Sequence, residues 1–192
     1  MNKRTILIIA FSLSAGLQLA MPISMIARYE LTLWRGEAFK FRAAPADPYD
    51  PFRGRFVDLR LEPTEAQWGG PDAESVRRDT VACGLLATNV HGFAEFSSIL
   101  RSAPGTGAWL RVEVSHVDSA GRAHFRIPLD RFYMEEDLAP KAERIVRSMR
   151  TTNAPPIYAL VRVRKGMGVI EDVYVGEKSL AQAAAEAEDE AR

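Results

Sequence analysis

The longest apolar segment lies at the start of the chain. After Lys3 and Arg4, no charged residue occurs from Thr5 to Ala27. About 20 apolar residues suffice for a helix to cross a membrane, whereas the apolar stretch of a cleaved signal peptide is usually about 7–15 residues long. No small-x-small cleavage site directly follows the segment, and it has no cysteine for lipidation. We therefore favour an uncleaved signal-anchor over residues 1–27, with residues 5–27 crossing the lipid bilayer once, over a cleaved signal.

The charges that flank this segment predict its orientation. Lys3 and Arg4 precede it, and positive residues beside a membrane span are retained in the cytoplasm. Residues 28–192 would then lie on the extracytoplasmic, periplasmic side of the inner membrane. Arg28 and Arg35 oppose this orientation only weakly, because a long domain after an anchor translocates largely regardless of its charge.

Beyond the anchor, apolar and polar residues alternate in short runs separated by turn signals about every ten residues, which is typical of strands. Residues 29–34 fit either the last turn of the anchor helix or a first strand, and residues 63–79 are expected to form a loop. One internal helix is predicted to begin at Pro140. The predicted strands are 37–43, 56–61, 81–88, 93–100, 109–117, 123–127, 157–164 and 169–175.

This pattern predicts a mainly β, β-rich α+β protein. We expect a transmembrane helix followed by a compact, mostly antiparallel barrel- or sandwich-like domain with one internal helix. The domain would span residues 28–176, and the Ala- and Glu-rich residues 177–192 would form a helix or frayed tail with little to bury. A length of 192 residues with 47% apolar residues suits one ordinary domain with appendages.

Charge and cysteine content narrow the function classes. The 25 basic and 25 acidic residues balance, and no basic tract stands out, so a nucleic-acid partner is not favoured. The single cysteine, Cys83, allows no internal disulfide and lies in an apolar run, which predicts a buried thiol. No Gly-x-Ser-x-Gly motif and no phosphate-binding Gly-rich loop is present.

The densest local signal is residues 45–61, where Asp47 and Asp50 lie in a proline-held loop before a turn at Phe52-Arg53-Gly54. One interpretation is a carboxylate pair for cation binding or acid–base chemistry. We favour the other, in which both aspartates cap turns and are held by Arg53 or a neighbouring arginine. Two carboxylates are too few oxygen ligands for a metal site.

Two further groups are candidates. His116 and His124 flank a hairpin turn at Asp118–Gly121 and are expected to face each other, but they lack further zinc ligands, so neither a metal nor a cofactor is predicted. Residues 130–137 place Arg131, Tyr133 and Glu135 in an aromatic and acidic segment. This segment is either a binding edge or, as we favour, a solvated helix N-terminus, where acidic side chains are stabilised by the helix dipole.

The chain resembles the GDYXXLXY family of small bacterial membrane-anchored proteins of unassigned function. The likeness covers most of residues 20–175, including a second block at residues 125–136. The eponymous Asp and two Tyr positions are Arg55, Phe56 and Leu61 here, so any chemistry of those groups is lost, whereas a role in shaping a turn and a strand face is retained. The resemblance implies a multi-pass membrane protein as partner. The matching positions in the first block are Pro45, Asp47, Pro48, Asp50, Phe52, Arg53, Gly54 and Leu59.

The leading hypothesis is a non-enzymatic, membrane-tethered extracytoplasmic β domain that binds or stabilises a partner in the same membrane. Residues 45–61 and 125–136 would form its working surface. The first alternative is an envelope enzyme or ligand-binding domain that uses the carboxylates of Asp47, Asp50 and Glu135. The second is a purely structural accessory protein.

Overall fold

The computed structural model describes residues 2–45, 56–71, 73–129, 131–135, 138–148 and 155–189. Its first element is the 33-residue helix α1, Lys3–Arg35. Residues 29–34 therefore continue the helix and do not form a first strand. Among the described residues, α1 alone is long and apolar enough to cross a membrane.

Within the described residues, eleven strands and two further helices follow α1, with a 3-10 turn at Ala73–Ser75. Helix α2 is Ala139–Ser148, with Pro140 in its first turn as predicted, and α3 is Leu180–Asp189. The strands are β1 (Glu37–Pro45), β2 (Phe56–Glu62), β3 (Glu65–Gln67), β4 (Thr80–Thr88), β5 (Ala94–Leu100), β6 (Trp109–Val117), β7 (Arg122–Arg126), β8 (Arg131–Tyr133), β9 (Ile157–Arg164), β10 (Met167–Val175) and β11 (Lys178–Ser179).

The strands form two antiparallel sheets. The six-stranded sheet has the order β11-β10-β9-β1-β2-β8, and the five-stranded sheet has the order β3-β7-β6-β4-β5. The second sheet nearly closes into a barrel, because Trp68 after β3 bridges Ile99 in β5 and the Gly69 N–H donates to the Ile99 carbonyl at 2.8 Å. Closure covers backbone groups that an open sheet leaves unpaired at its edges. The prediction of a β-rich, mostly antiparallel domain is confirmed.

The core lies between the two sheets. Alternation along β1 buries Phe39 and Phe41. The Phe41 ring lies 6.0 Å from that of Phe96 in β5, which contacts Phe125 in β7 edge-on at 4.9 Å. A backbone bond from the Arg111 N–H to the Gly166 carbonyl (3.0 Å) joins the sheets at one end. Burial of the Cys83 thiol, also predicted, is confirmed.

Three short or terminal segments differ from expectation. The predicted loop at 63–79 contains β3 and the 3-10 turn, and Trp68 is buried. Arg131–Tyr133 is not a helix N-terminus but the edge strand β8, in which Phe132 pairs with Val57 of β2. The tail was expected to bury little, yet Leu180 and Ala184 of α3 are fully buried. Residues four apart lie on the same face of a helix. Leu180 and Ala184 therefore pack against the domain together, although the residues around them are small or polar.

Candidate functional site

The junction between α1 and β1 has no flexible linker. Thr32, only 2% exposed, donates its hydroxyl to the Arg28 carbonyl at 2.8 Å. The helix ends where the Gly36 N–H donates to the Thr32 carbonyl at 2.8 Å and the backbone becomes extended. A Cβ atom at Gly36 would overlap the Thr32 carbonyl oxygen. Glycine is therefore needed for this direct passage from helix to strand.

An ion pair in the six-stranded sheet supports the junction. Arg162 in β9 donates to the Glu171 carboxylate of β10 at 2.6 Å, and its guanidinium also lies 3.4 Å from the Gly36 carbonyl. The hydrogen bond to Glu171 raises the pKa of Arg162 further above its usual value. The end of α1 is thus fixed to the sheet through charged side chains as well as through backbone contacts.

A cavity of about 590 Å³, here called the aromatic cavity, lies beside this junction. Two of its aromatic side chains are largely exposed to solvent, Trp34 at 83% and Tyr133 at 66%. Its charged residues carry both signs. The residues from α1 are Tyr29, Glu30, Leu33 and Trp34, and those from the domain include Arg131, Tyr133 and Glu171.

The structure brings only some of the predicted site residues to this cavity. Arg131 and Tyr133 line the cavity from the edge strand β8. Their role in binding stays a prediction. Glu135, two residues beyond β8, is exposed and does not line the cavity. Asp47, Asp50, Phe52, Arg53 and Gly54 lie outside the described residues, so their binding role and the proposed carboxylate chemistry stay predictions.

The α1 residues of the cavity were not selected from sequence. Tyr29 and Trp34 follow the uncharged run that ends at Ala27, and Trp and Tyr are enriched at the ends of membrane spans. This enrichment is the sequence signal that could identify Tyr29 and Trp34 as site residues. It becomes informative only once α1 is known to continue through Arg35.

The histidine pair is a separate cluster on the barrel. His116 and His124 face each other across the β6–β7 hairpin, as predicted, with their rings stacked at 4.5 Å. Asp118 in the turn accepts the N–H groups of Ala120 and Arg122, both at 2.9 Å, and lies 3.4 Å from the His124 ring. In the described part of the chain, no three His, Cys, Asp or Glu residues are placed to hold a metal ion. The geometry is that of a capped hairpin turn.

This turn predicts a pH dependence of stability. The hydrogen bond from the Arg122 N–H holds the pKa of Asp118 below its usual value, and hydrogen bonds from the His124 ring and the Ala120 N–H add smaller contributions. Because the folded-state pKa is depressed, the stabilisation is present at neutral pH and is lost as the pH falls below about 4. Asp118→Asn retains an acceptor but does not titrate. In urea unfolding, we expect the difference in midpoint between wild type and Asp118→Asn to shrink from pH 7 to pH 3. A difference that is constant with pH would contradict this role.

No curated protein and no solved structure matches the chain significantly. The family model described as GDYXXLXY protein matches residues 18–173. The match runs from the second half of α1 through the junction and both sheets into β10. It therefore includes the junction and every residue of the aromatic cavity named above. The chain belongs to the GDYXXLXY protein family.

Proposed function

We propose that this protein is a non-enzymatic accessory domain of the bacterial envelope that docks onto a protein embedded in the same membrane. The docking surface is the aromatic cavity. The observation that carries the proposal is the joint exposure of Trp34 and Tyr133 at the end of an apolar helix. Aromatic residues that project from a rigid element into a recess are typical anchors of protein interfaces.

The surface of α1 supports a membrane anchor. Its apolar side chains would form a large water-exposed patch on a soluble protein, whereas lipid solvates them in a bilayer. With Lys3 and Arg4 on the cytoplasmic side, the helix crosses the inner membrane once and residues from 28 onward are extracytoplasmic. The exposed large apolar residues are Leu7, Ile8, Ile9, Phe11, Leu13, Leu17, Leu19, Met21, Ile23, Met25 and Ile26.

The linker-free junction fixes the height of the cavity above the membrane. Trp34 lies seven residues after Ala27 on the same continuous helix. At a rise of about 1.5 Å per residue, this places Trp34 within about 10 Å of the end of the apolar run. A membrane-embedded partner with short extracytoplasmic loops can reach a surface at that height.

The charges in the cavity favour a protein segment over a ligand of one charge sign. Arg131 lines one side, while Glu30 and Glu171 supply carboxylates from α1 and β10. Arginine and aromatic residues are enriched at the centres of protein interfaces. Mixed charges of this kind select a partner by complementarity and set its orientation.

Co-purification from membranes tests the proposal. The tagged full-length protein is extracted in mild detergent, beside Trp34→Ala and Tyr133→Ala, and co-purifying proteins are quantified by mass spectrometry. We expect one integral membrane protein with the wild type, reduced at least about tenfold by Trp34→Ala, because truncation of an interface anchor costs about 2 kcal/mol or more. Val90→Ala is the control, since Val90 is 96% exposed on the β4–β5 turn, away from the cavity. Retention of the same partner by Trp34→Ala, or no membrane partner with the wild type, would contradict the proposal.

Two further variants examine the segment outside the described residues. Asp50→Ala and Arg53→Ala alter the predicted Pro/Asp loop and leave every described residue of the aromatic cavity unchanged. Loss of the partner in these variants, with unchanged circular dichroism, would add residues 45–61 to the docking surface. Retention of the partner would confine the surface to the aromatic cavity.

A further inference from the structure

A second cavity, here called the basic cavity, has a volume of about 620 Å³. It is adjacent to the aromatic cavity, since Leu129 and Gly168 line both. It is bounded by the end of α1, the start of β6 and the β9–β10 turn. Among the residues that the structure describes, no carboxylate lines it. Its volume is within the range of small-molecule sites, about 300–1,000 Å³. Its four cationic residues are Arg28, Arg111, Arg164 and Lys165.

The turn that carries Lys165 is rigidly positioned. Lys165 and Gly166 both have positive φ, 49° and 79°, as a two-residue hairpin turn requires. A Cβ atom at Gly166 would overlap the Trp109 ring, so the turn backbone lies directly on that ring. The Gly166 carbonyl also accepts the Arg111 N–H at 3.0 Å. The backbone positions of Lys165 and Arg111 are therefore held in a fixed relation before any ligand binds.

In the part of the chain that the structure describes, these four cations lack the carboxylate partners that neighbouring arginines have. Arg162, on the same strand as Arg164, is paired with Glu171 at 2.6 Å, and Arg126 is paired with Glu113 at 2.6 Å. Within the described residues, none of the four cations of the basic cavity has a carboxylate at ion-pair distance. Like charges that converge on a recess repel one another, and a bound anion relieves that repulsion.

We infer that the basic cavity binds the phosphate headgroup of an anionic phospholipid from the adjacent, extracytoplasmic leaflet. Arg28 is the first charged residue after the apolar run and lines the cavity, so the cavity opens at the level of the lipid phosphates. Guanidinium groups suit phosphate because they present paired donors to its oxygens. Leu129 and Met167 add apolar surface for the glycerol and the start of the acyl chains.

This inference depends on α1 as a membrane anchor and not on the docking partner. Its ligand differs from that of the aromatic cavity, where the Glu30 carboxylate would repel a phosphate. The absence of a membrane partner with the wild type and the absence of lipid binding are thus separate results. The second is measured on the purified protein without a partner.

Native mass spectrometry of the full-length protein in dodecyl maltoside tests the inference. The protein is titrated with phosphatidylglycerol, phosphatidylcholine or inorganic phosphate. We expect phosphatidylglycerol to bind more tightly than phosphatidylcholine, and millimolar inorganic phosphate to compete only weakly. Each cation beside an anionic lipid contributes roughly a fivefold change in affinity, so Arg111→Gln with Arg164→Gln is expected to weaken phosphatidylglycerol binding about 25-fold.

The control is Arg77→Gln with Arg78→Gln, the same loss of charge at exposed residues before β4 that do not line the cavity. It is expected to leave the lipid affinity unchanged. Lys165→Asn removes one cation at a left-handed position that asparagine accepts, and it is expected to weaken binding about fivefold even if the double variant unfolds. Equal binding of the two lipids, or equal losses in control and cavity variants, would overturn the inference. Binding of inorganic phosphate without a lipid preference would instead identify a site for a soluble anion.

Discussion

Replacing Phe41 by alanine is expected to lower the free energy of unfolding by about 3–5 kcal/mol, the usual cost of truncating a fully buried phenylalanine. Phe41 is completely buried on β1, and its ring faces that of Phe96 at 6.0 Å. The substitution therefore leaves a void where the six-stranded sheet meets the barrel. The measurement is urea unfolding of the full-length protein in detergent, followed by tryptophan fluorescence.

Phe93→Ala is the matched control for this experiment. Phe93 precedes β5 and is only half-buried, with its ring 6.0 Å from that of Tyr158 and beneath the Arg42 guanidinium. The same truncation there removes less buried surface, so its loss is expected to be smaller by about 2 kcal/mol. Equal losses at both positions would contradict the placement of Phe41 at the centre of the core.

Gly36→Ala is expected to destabilise the junction by about 1–3 kcal/mol, as overpacking of a close contact does. The new Cβ atom would overlap the Thr32 carbonyl oxygen and lie 3.1 Å from both the Arg162 Cβ and the Val163 backbone nitrogen. Either the last turn of α1 or the start of β1 must then move. We expect a lower urea midpoint together with new protease cleavage close to residue 36.

Gly105→Ala is the control for the junction, because a Cβ atom at Gly105 has no neighbour within 4 Å. It is expected to leave both the urea midpoint and the cleavage pattern unchanged. If Gly36→Ala behaved like Gly105→Ala, the helix and the sheet would not be held together as described. The inference that the aromatic cavity lies at a fixed height above the membrane would then have no structural basis.

The longer elements of this fold could be predicted from sequence because their side chains alternate over enough residues. In β1, Phe39 and Phe41 point to the core while Lys40 and Arg42 are exposed, which matches the alternating pattern. Strands β3 and β8 have three residues each and were missed, since three residues carry almost no periodicity. The contact of Trp68 with Ile99 that nearly closes the barrel joins segments 31 residues apart and has no local signal.

The candidate site could be predicted only in part, because some of its residues lie in one segment of the sequence and the others meet them only in the fold. The aromatic and charged segment at residues 130–137 points to Arg131 and Tyr133, although its composition favours a helix N-terminus. Their convergence with Trp34 and Glu171 depends on α1, β8 and β10, which meet only in three dimensions. The basic cavity has no local sequence signal, because its four cations are spread over residues 28–165 and the net charge of the chain is zero.

Site-specific photo-crosslinking in intact cells tests docking at the aromatic cavity most directly. A benzoylphenylalanine residue replaces Trp34 in the full-length protein, and a second strain carries it at Val90, the most exposed large apolar residue among those described. Our account predicts an adduct with one integral membrane protein from position 34 and none from position 90. No protein adduct at position 34, or the same adduct from both positions, would contradict it.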